Sequence, residues 1–329
     1  MSTVPTVFMF SGQGCQYPQM GRELFERQPV FRRWMLEMDS FVRRRSGVSV
    51  IEALFDDSRG RSAPLEDLQV THPAIFMVQV ALTQTLLQEG WVPELTLGAS
   101  LGSFAAATLA GCLSVEDALG AVMEQAAIVT RYCREGGMIA VLGDLTEDRT
   151  VATLRECEVA AYNFESHVVL SAPRERLEEI EAHLTRKNFP FQRLPVHYAF
   201  HSRWIAAAER PYREALSRLA RKPARIPLVC CAEARILSEI DADYFWSIAR
   251  KPIRFAATIQ HLENRGPHRY LDVGPADTLA TFLKFVLTPV TASQVVSTLS
   301  PFGEDLKRLE LLSRSREQGG AGCAHPRTR

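Results

Sequence analysis

Leu95-Thr96-Leu97-Gly98-Ala99-Ser100-Leu101-Gly102 decides how this chain is read. A short apolar run passes through Gly-x-Ser-x-Gly into Phe104-Ala105-Ala106-Ala107-Thr108-Leu109-Ala110, which has the character of a helix. A strand that turns sharply into a helix through this pattern sets its serine on a strained corner. The flanking glycines leave room for that corner, so Oγ is held out toward a substrate. Free N–H groups at the start of the helix face any oxyanion formed there. The pattern is short and alone names only a candidate nucleophile, Ser100; the base and the frame must come from elsewhere.

Outward from that turn, strands and helices alternate, which predicts an α/β class with a largely parallel sheet. Residues 7–10 form a buried strand ending in the turn Ser11-Gly12-Gln13-Gly14. Helical patterns cover 20–31 and 41–54, and the long apolar run 74–87 reads as a central buried helix. A further helix spans 115–132. From Gly136 the pattern becomes strand 138–142, helix 148–156, strands 159–163 and 168–171, helix 175–187 and strand 191–196. That βαββαβ order is the order of a ferredoxin-like unit. We therefore expect a large α/β-hydrolase-like domain at 1–134 and 199–312, with a ferredoxin-like subdomain at 135–198 forming one wall of a cleft. A helical stretch to about residue 220 and strands at 226–230 and 269–273 complete the large domain. Residues 313–329, polar with Gly319-Gly320 and arginine-rich, read as a disordered tail.

The 329 residues are 46% hydrophobic and carry no formal net charge. Neutral balance argues against bulk binding to nucleic acid or to an anionic membrane. No apolar stretch reads as long enough to span a bilayer, and no secretory signal is visible. The seven cysteines are scattered without a Cys-x-x-Cys pair, a poor disulfide or zinc framework that fits a reducing cytoplasm.

A serine nucleophile needs a base, usually histidine. Eight are present, and position alone does not choose among them. His201, in Val196-His197-Tyr198-Ala199-Phe200-His201-Ser202, lies where the chain re-enters the large domain. From spacing alone it reads first as a residue that starts a helix. His197 and His201, four apart, have no carboxylate or cysteine nearby to complete a metal site, so no metal is expected.

Several motifs together then point to a family. Phe8-Met9-Phe10-Ser11-Gly12-Gln13-Gly14-Cys15-Gln16 followed by Met20-Gly21 resembles the opening signature of malonyl-CoA:acyl carrier protein transacylases and polyketide synthase acyltransferases. Thr71-His72-Pro73-Ala74, Gly98 to Gly102, Tyr198-Ala199-Phe200-His201-Ser202 and Leu271-Asp272-Val273-Gly274-Pro275 resemble further signatures, in family order. The resemblance implies Ser100 as nucleophile, His201 as general base and acid, and backbone N–H groups of Gln13 and Leu101 as the oxyanion hole. The family orients its histidine with backbone carbonyls, so no third acid is required. It also implies no bound cofactor, a substrate carried on the phosphopantetheine of an acyl carrier protein, and a polyketide synthase carrier domain as partner. A monomer is expected.

Departures from the family pattern bear on the acyl group. Members that use malonyl units hold the free carboxylate with an arginine on the helix after the nucleophile helix. Gln125 stands at that position here, and a neutral amide cannot offset the desolvation of a buried carboxylate. Arg131 is the nearest arginine, on another side of the helix; Glu116 and Glu124 would repel a dicarboxylate if they faced the pocket. Ala99 and Ser103 replace a common histidine and glutamate beside the nucleophile, and His72 replaces a glutamine near the pocket. Phe200 is read as shaping the pocket and Asn163 as structural with a place at the cleft. Arg203, Arg250, Lys251, Arg254 and Lys284 are candidate contacts for an acidic carrier protein.

Together these changes resemble the acyl hydrolases that accompany polyketide synthases with trans-acting acyltransferases. The expected activity is hydrolysis of stalled, uncharged acyl groups from carrier proteins. Its alternatives are a trans-acting acyltransferase that moves acyl groups, malonyl included, from CoA or a carrier protein to an acyl carrier protein, and a silent docking module.

Overall fold

The chain is described from a computed structural model covering residues 4–58, 65–143, 145 and 156–320. β1 (Thr6–Phe10) is buried along its whole length, with Phe8 and Phe10 in one core and Val7 and Met9 in another. A strand apolar on both faces belongs in the middle of a helix-covered parallel sheet. β1 lies there, between β2 (Leu95–Gly98) and β9 (Arg269–Asp272). β10 (Gln294–Ser297) extends the sheet beyond β9, and β7 (Leu228–Cys230) beyond β2, all parallel. β8 (Arg235–Leu237) closes the six-stranded sheet as an antiparallel edge.

On one face lies α4 (Leu68–Gln88), which packs on α2 (Pro29–Ser46), α5 (Gly102–Leu109) and α6 (Val115–Tyr132). α4 is apolar and long enough to cross a membrane by length and composition, contrary to the sequence expectation. Its most apolar window is 83% buried against neighbouring helices, so its hydrophobicity is spent on the core. The other face is covered by α10 (Phe255–Glu263) and α11 (Thr278–Val286), through Phe255, Ile259, Leu262, Leu279 and Leu283.

The second sheet has the strand order β4-β5-β3-β6, with β3 (Gly136–Leu142), β4 (Glu158–Phe164), β5 (His167–Pro173) and β6 (Phe191–Arg193) antiparallel. That is the strand order expected of the ferredoxin-like unit. Alternation divides its faces. Ile139, Val141, Leu170 and Ala172 pack against Leu177, Ile180 and Leu184 of α7 (Arg174–Arg186). Met138, Ala140, Ala161 and Val169 turn the other way, toward the large sheet. The first helix expected in this unit, 148–156, lies outside the described residues apart from Glu156.

Several expectations are corrected. The helix predicted at 20–31 is cut at Gln28, whose side chain caps α2, and Pro29 opens α2 at its first position. α1 (Arg22–Arg27) and α3 (Val50–Leu54) are short pieces on either side. The stretch to residue 220 holds only a 3-10 turn, Arg203–Ala208, and α8 (Glu209–Leu216). α9 (Tyr244–Arg250), α10, α11, β8 and β10 were not foreseen. Residues 313–320 are not irregular: they continue α12 (Asp305–Gly320), which is anchored by buried Leu309 and Leu312. Residues 321–329 lie outside the described part.

Candidate active site

The turn between β2 and α5 is as sharp as its glycines imply. Ser100 sits at φ 54°, in the left-handed region, a placement that costs an L-residue about 1–2 kcal/mol. The two glycines are required by space. A Cβ on Gly102 would lie 2.1 Å from the carbonyl oxygen of Phe10, and one on Gly98 would lie 2.3 Å from Cα of Ser103. The corner is therefore pressed against β1, where Ala99 N–H donates to the Phe10 carbonyl at 2.9 Å.

His201 reaches this corner from the far side of the insertion. The Ser100 hydroxyl donates to its Nε2 at 2.8 Å. Its Nδ1–H donates to the carbonyl of Lys251, also at 2.8 Å. A carbonyl only accepts, so Nδ1 carries the proton and Nε2 is left as the acceptor. His201 is itself at φ 59°, and its N–H donates to the Ala249 carbonyl at 2.9 Å. Burial pushes the imidazole down to about 4, with the Lys251 carbonyl opposing and Arg250 adding to the shift.

The loop after β1 faces the same corner. Gln79 of α4 donates to the Ser11 carbonyl at 2.7 Å, and Gly14 N–H donates to Gln16 Oε1 at 2.7 Å. Among the described residues, neither the Gln13 nor the Leu101 backbone N–H meets an acceptor in the protein. Buried Asp272 backs the loop by accepting from the N–H groups of Gly274 and Ala280, and burial pushes its carboxyl up to about 6.

Ser100 and His201 open into a cavity of about 230 Å³ between the two sheets. The described residues lining it include no Arg, Lys, Asp or Glu. Gln13, Leu101, His72, Gln125, Phe200 and Asn163 all line it, so the catalytic, oxyanion and acyl-pocket candidates converge on one chamber. Gln125 is fixed from two sides: Tyr212 OH donates to its Oε1 at 2.7 Å, and its Nε2–H donates to His72 Nδ1 at 3.4 Å. Phe200 leans on His72, with ring centroids 5.8 Å apart. Asn163 Nδ2–H donates to His167 Nδ1 at 3.0 Å on the opposite wall.

Glu116, Glu124 and Arg131 line an outer groove instead, so neither carboxylate repels an acyl group in the chamber, and Arg131 lies over the Tyr132 ring. His197 bonds Glu66 outside the chamber. Of the candidate carrier contacts, Arg203 and Arg250 both engage Glu158, and Lys251 pairs with Glu233. Arg254 and Lys284 are exposed.

Residues 7–321 match the acyl transferase domain family. The chain belongs to that family. It is 42% identical over 312 residues to "Polyketide biosynthesis acyltransferase homolog BaeD" of Bacillus velezensis, covering 94% of this chain and 96% of the relative. It is 39% identical over 308 residues to the homolog PksD of Bacillus subtilis, covering 93% and 94%. Among solved structures, a loading acyltransferase of the avermectin modular polyketide synthase superposes with a TM-score of 0.84 at 28% identity, over 94% of this chain and 99% of that one. The malonyl CoA-acyl carrier protein transacylase of Clostridium perfringens shares the fold, with a TM-score of 0.79 at 24% identity over 97% and 99%.

Within this acyltransferase-family site, the sequence did not name the Lys251 carbonyl, Tyr212, or the walls Phe255, Phe282 and His167. A backbone carbonyl has no side-chain signature. Tyr212 meets Gln125 across 87 positions, which no local pattern encodes.

Proposed function

We propose that the chain is a serine-dependent acyl hydrolase acting on acyl-carrier protein thioesters in polyketide biosynthesis, with uncharged acyl groups as substrates. The observation that carries this reading is the chamber itself. A hydrogen-bonded Ser100–His201 pair opens into a space whose described lining has no charged side chain, and position 125 is an amide already bonded to Tyr212.

Ser100 Oγ attacks the thioester carbonyl while its proton passes to His201 Nε2. The carbonyl oxygen becomes an oxyanion held by the N–H groups of Gln13 and Leu101. Collapse breaks the C–S bond, and His201 returns the proton to the departing phosphopantetheine thiolate. Water, deprotonated by His201, then attacks the acyl-Ser100 ester, releasing the free acid and the serine hydroxyl. No third carboxylate is needed, because the Lys251 carbonyl sets the tautomer and a thiolate leaves readily.

The test is incubation with acetyl-, butyryl- and malonyl-loaded carrier protein, each followed by mass. Free acid from the neutral thioesters supports the hydrolase; acyl movement to a second carrier protein overturns it in favour of a transferase. Malonyl is expected to react at least about 100-fold more slowly than butyryl, because seating an unpaired carboxylate costs several kcal/mol. Rapid malonyl loading of Ser100 contradicts the neutral-acyl assignment.

The acid limb gives a second check. Burial holds His201 near 4, so the base is already neutral at pH 5. As pH falls through about 4 the imidazole gains a proton and the rate drops; above that it is flat. An acylation rate that halves near pH 6.5, where an ordinary histidine titrates, is the contrary result.

A further inference from the structure

Gln13 has two tasks that meet in one residue. In the reading above its backbone N–H is one of the two oxyanion donors, and its side-chain carbonyl accepts from His72 Nε2–H at 3.2 Å. Among the described residues its buried Nε2 has no hydrogen-bond partner, so there the His72 contact is the one bond that holds its amide. His72 is in turn fixed. Gln125 Nε2–H donates to Nδ1, so the ring proton must sit on Nε2, where it serves Gln13. Gln125 can present that N–H because Tyr212 OH occupies its Oε1. The result is a line of neutral groups from α8 through α6 and α4 to the loop after β1. Each member donates toward Gln13 and none carries charge. Burial pushes His72 down to about 3, which keeps it neutral in this role.

The other supports of the loop act elsewhere: Gln79 holds Ser11 and Gln16 holds Gly14. Among the described residues, only the His72 line connects Gln13 to Gln125, a lining residue of the chamber. We propose that His72 and Tyr212 are positioning residues, which act through Gln125 and the Gln13 side chain to hold the oxyanion hole in register. This rests on the reading of Ser100 and His201 as the acylating pair.

Placement errors in an oxyanion hole act on the rate of acylation and leave substrate capture intact, and full loss of one donor costs on the order of 10²–10³ in rate. The experiment measures the pre-steady-state rate of Ser100 acylation by acetyl-carrier protein. Rates are normalised to sites that a fluorophosphonate reagent labels. His72→Leu, which breaks the line, is expected to slow acylation at least about tenfold with KM within about twofold. His72→Gln, which keeps one acceptor and one donor, is expected to stay within about threefold of the parent. Tyr212→Phe is expected to lower the rate about threefold, and to add nothing once His72→Leu has broken the line.

An unchanged rate per labelled site in His72→Leu overturns the proposal. So does a loss confined to KM or to the number of labelled sites, and so does full additivity of the two changes. If His72→Leu does not fold, Tyr212→Phe at the parental rate overturns it alone. Acylation precedes the choice between water and a second thiol, so a transferase result in the previous experiment leaves this one standing. A folded parent that takes no acyl group on Ser100 overturns both.

Discussion

Replacing His201 by alanine is expected to slow acylation of Ser100 by on the order of 10³-fold or more. The serine hydroxyl donates to Nε2 at 2.8 Å, and the described residues offer it no other side-chain partner. Without that nitrogen, the proton must leave to water while the alkoxide forms, and the thiolate departs without a proton donor. The N–H groups at Gln13 and Leu101 survive the change, so residual turnover above the uncatalysed reaction is expected. His201 sits at φ 59°, where alanine is itself disfavoured. His201→Asn is therefore the companion variant, since asparagine tolerates the left-handed region. Rapid-quench mass measurement of acyl-Ser100 reads both. Followed by total thioester hydrolysis, since no residue 100 hydroxyl remains to acylate, the double variant with Ser100→Ala should be no slower than Ser100→Ala alone, because the pair acts as a unit. A rate within tenfold of the parent in either single variant removes His201 from the proton path.

Gly102→Ala is expected to destabilise the fold by about 3 kcal/mol or more, although it adds a single methyl group. The new Cβ would sit 2.1 Å from the Phe10 carbonyl oxygen, 2.5 Å from its carbon and 2.7 Å from the Ser11 oxygen. All three are backbone atoms of the central strand and its turn, so no rotamer change relieves the clash. Either β1 or the serine corner must move, and both carry the site. Gly14→Ala is the contrast: nothing lies within 4 Å of its Cβ, and only its φ of 105° opposes the change. That cost is about 1 kcal/mol. Denaturant titration of the two variants measures the difference directly. Equal midpoints for Gly102→Ala and the parent would show that the corner accepts a methyl group without cost.

Legibility in the sequence tracked how local each feature is. The Gly-x-Ser-x-Gly turn could be read because strand, corner and helix start occupy one continuous stretch, and the geometry at Ser100 follows from it. The βαββαβ sequence of the inserted unit could be read because its elements are local, with Ile139, Val141, Leu170 and Ala172 packing on Leu177, Ile180 and Leu184 of α7. His201 could be placed only by its neighbourhood, since nothing in Tyr198–Ser202 records that the Lys251 carbonyl will orient the ring. Short pieces such as β8, α9 and β10 escaped because three to seven residues carry too little periodicity to separate from loop. The tail was misjudged for a different reason. Its polar composition gave no sign that residues 313–320 continue a helix begun at Asp305, which Leu309 and Leu312, just ahead of the tail, dock against the core. The spanning length of α4 was missed because Thr71, His72, Gln79 and Thr83 interrupt its apolar runs, although all four are buried.

The chamber's two walls descend from separate parts of the polypeptide. Ser100, His201, Gln13 and Leu101 belong to the large sheet and its loops, whereas Ala140, Ala161 and Val169 belong to the antiparallel unit, whose own core stands behind them. Ancestry can therefore edit the ceiling without disturbing the machinery below. Exchanging one of those small residues for a bulkier one resizes the space for the acyl tail and leaves each reacting group with its original neighbours. New tail preferences can thus arise in this lineage by single steps.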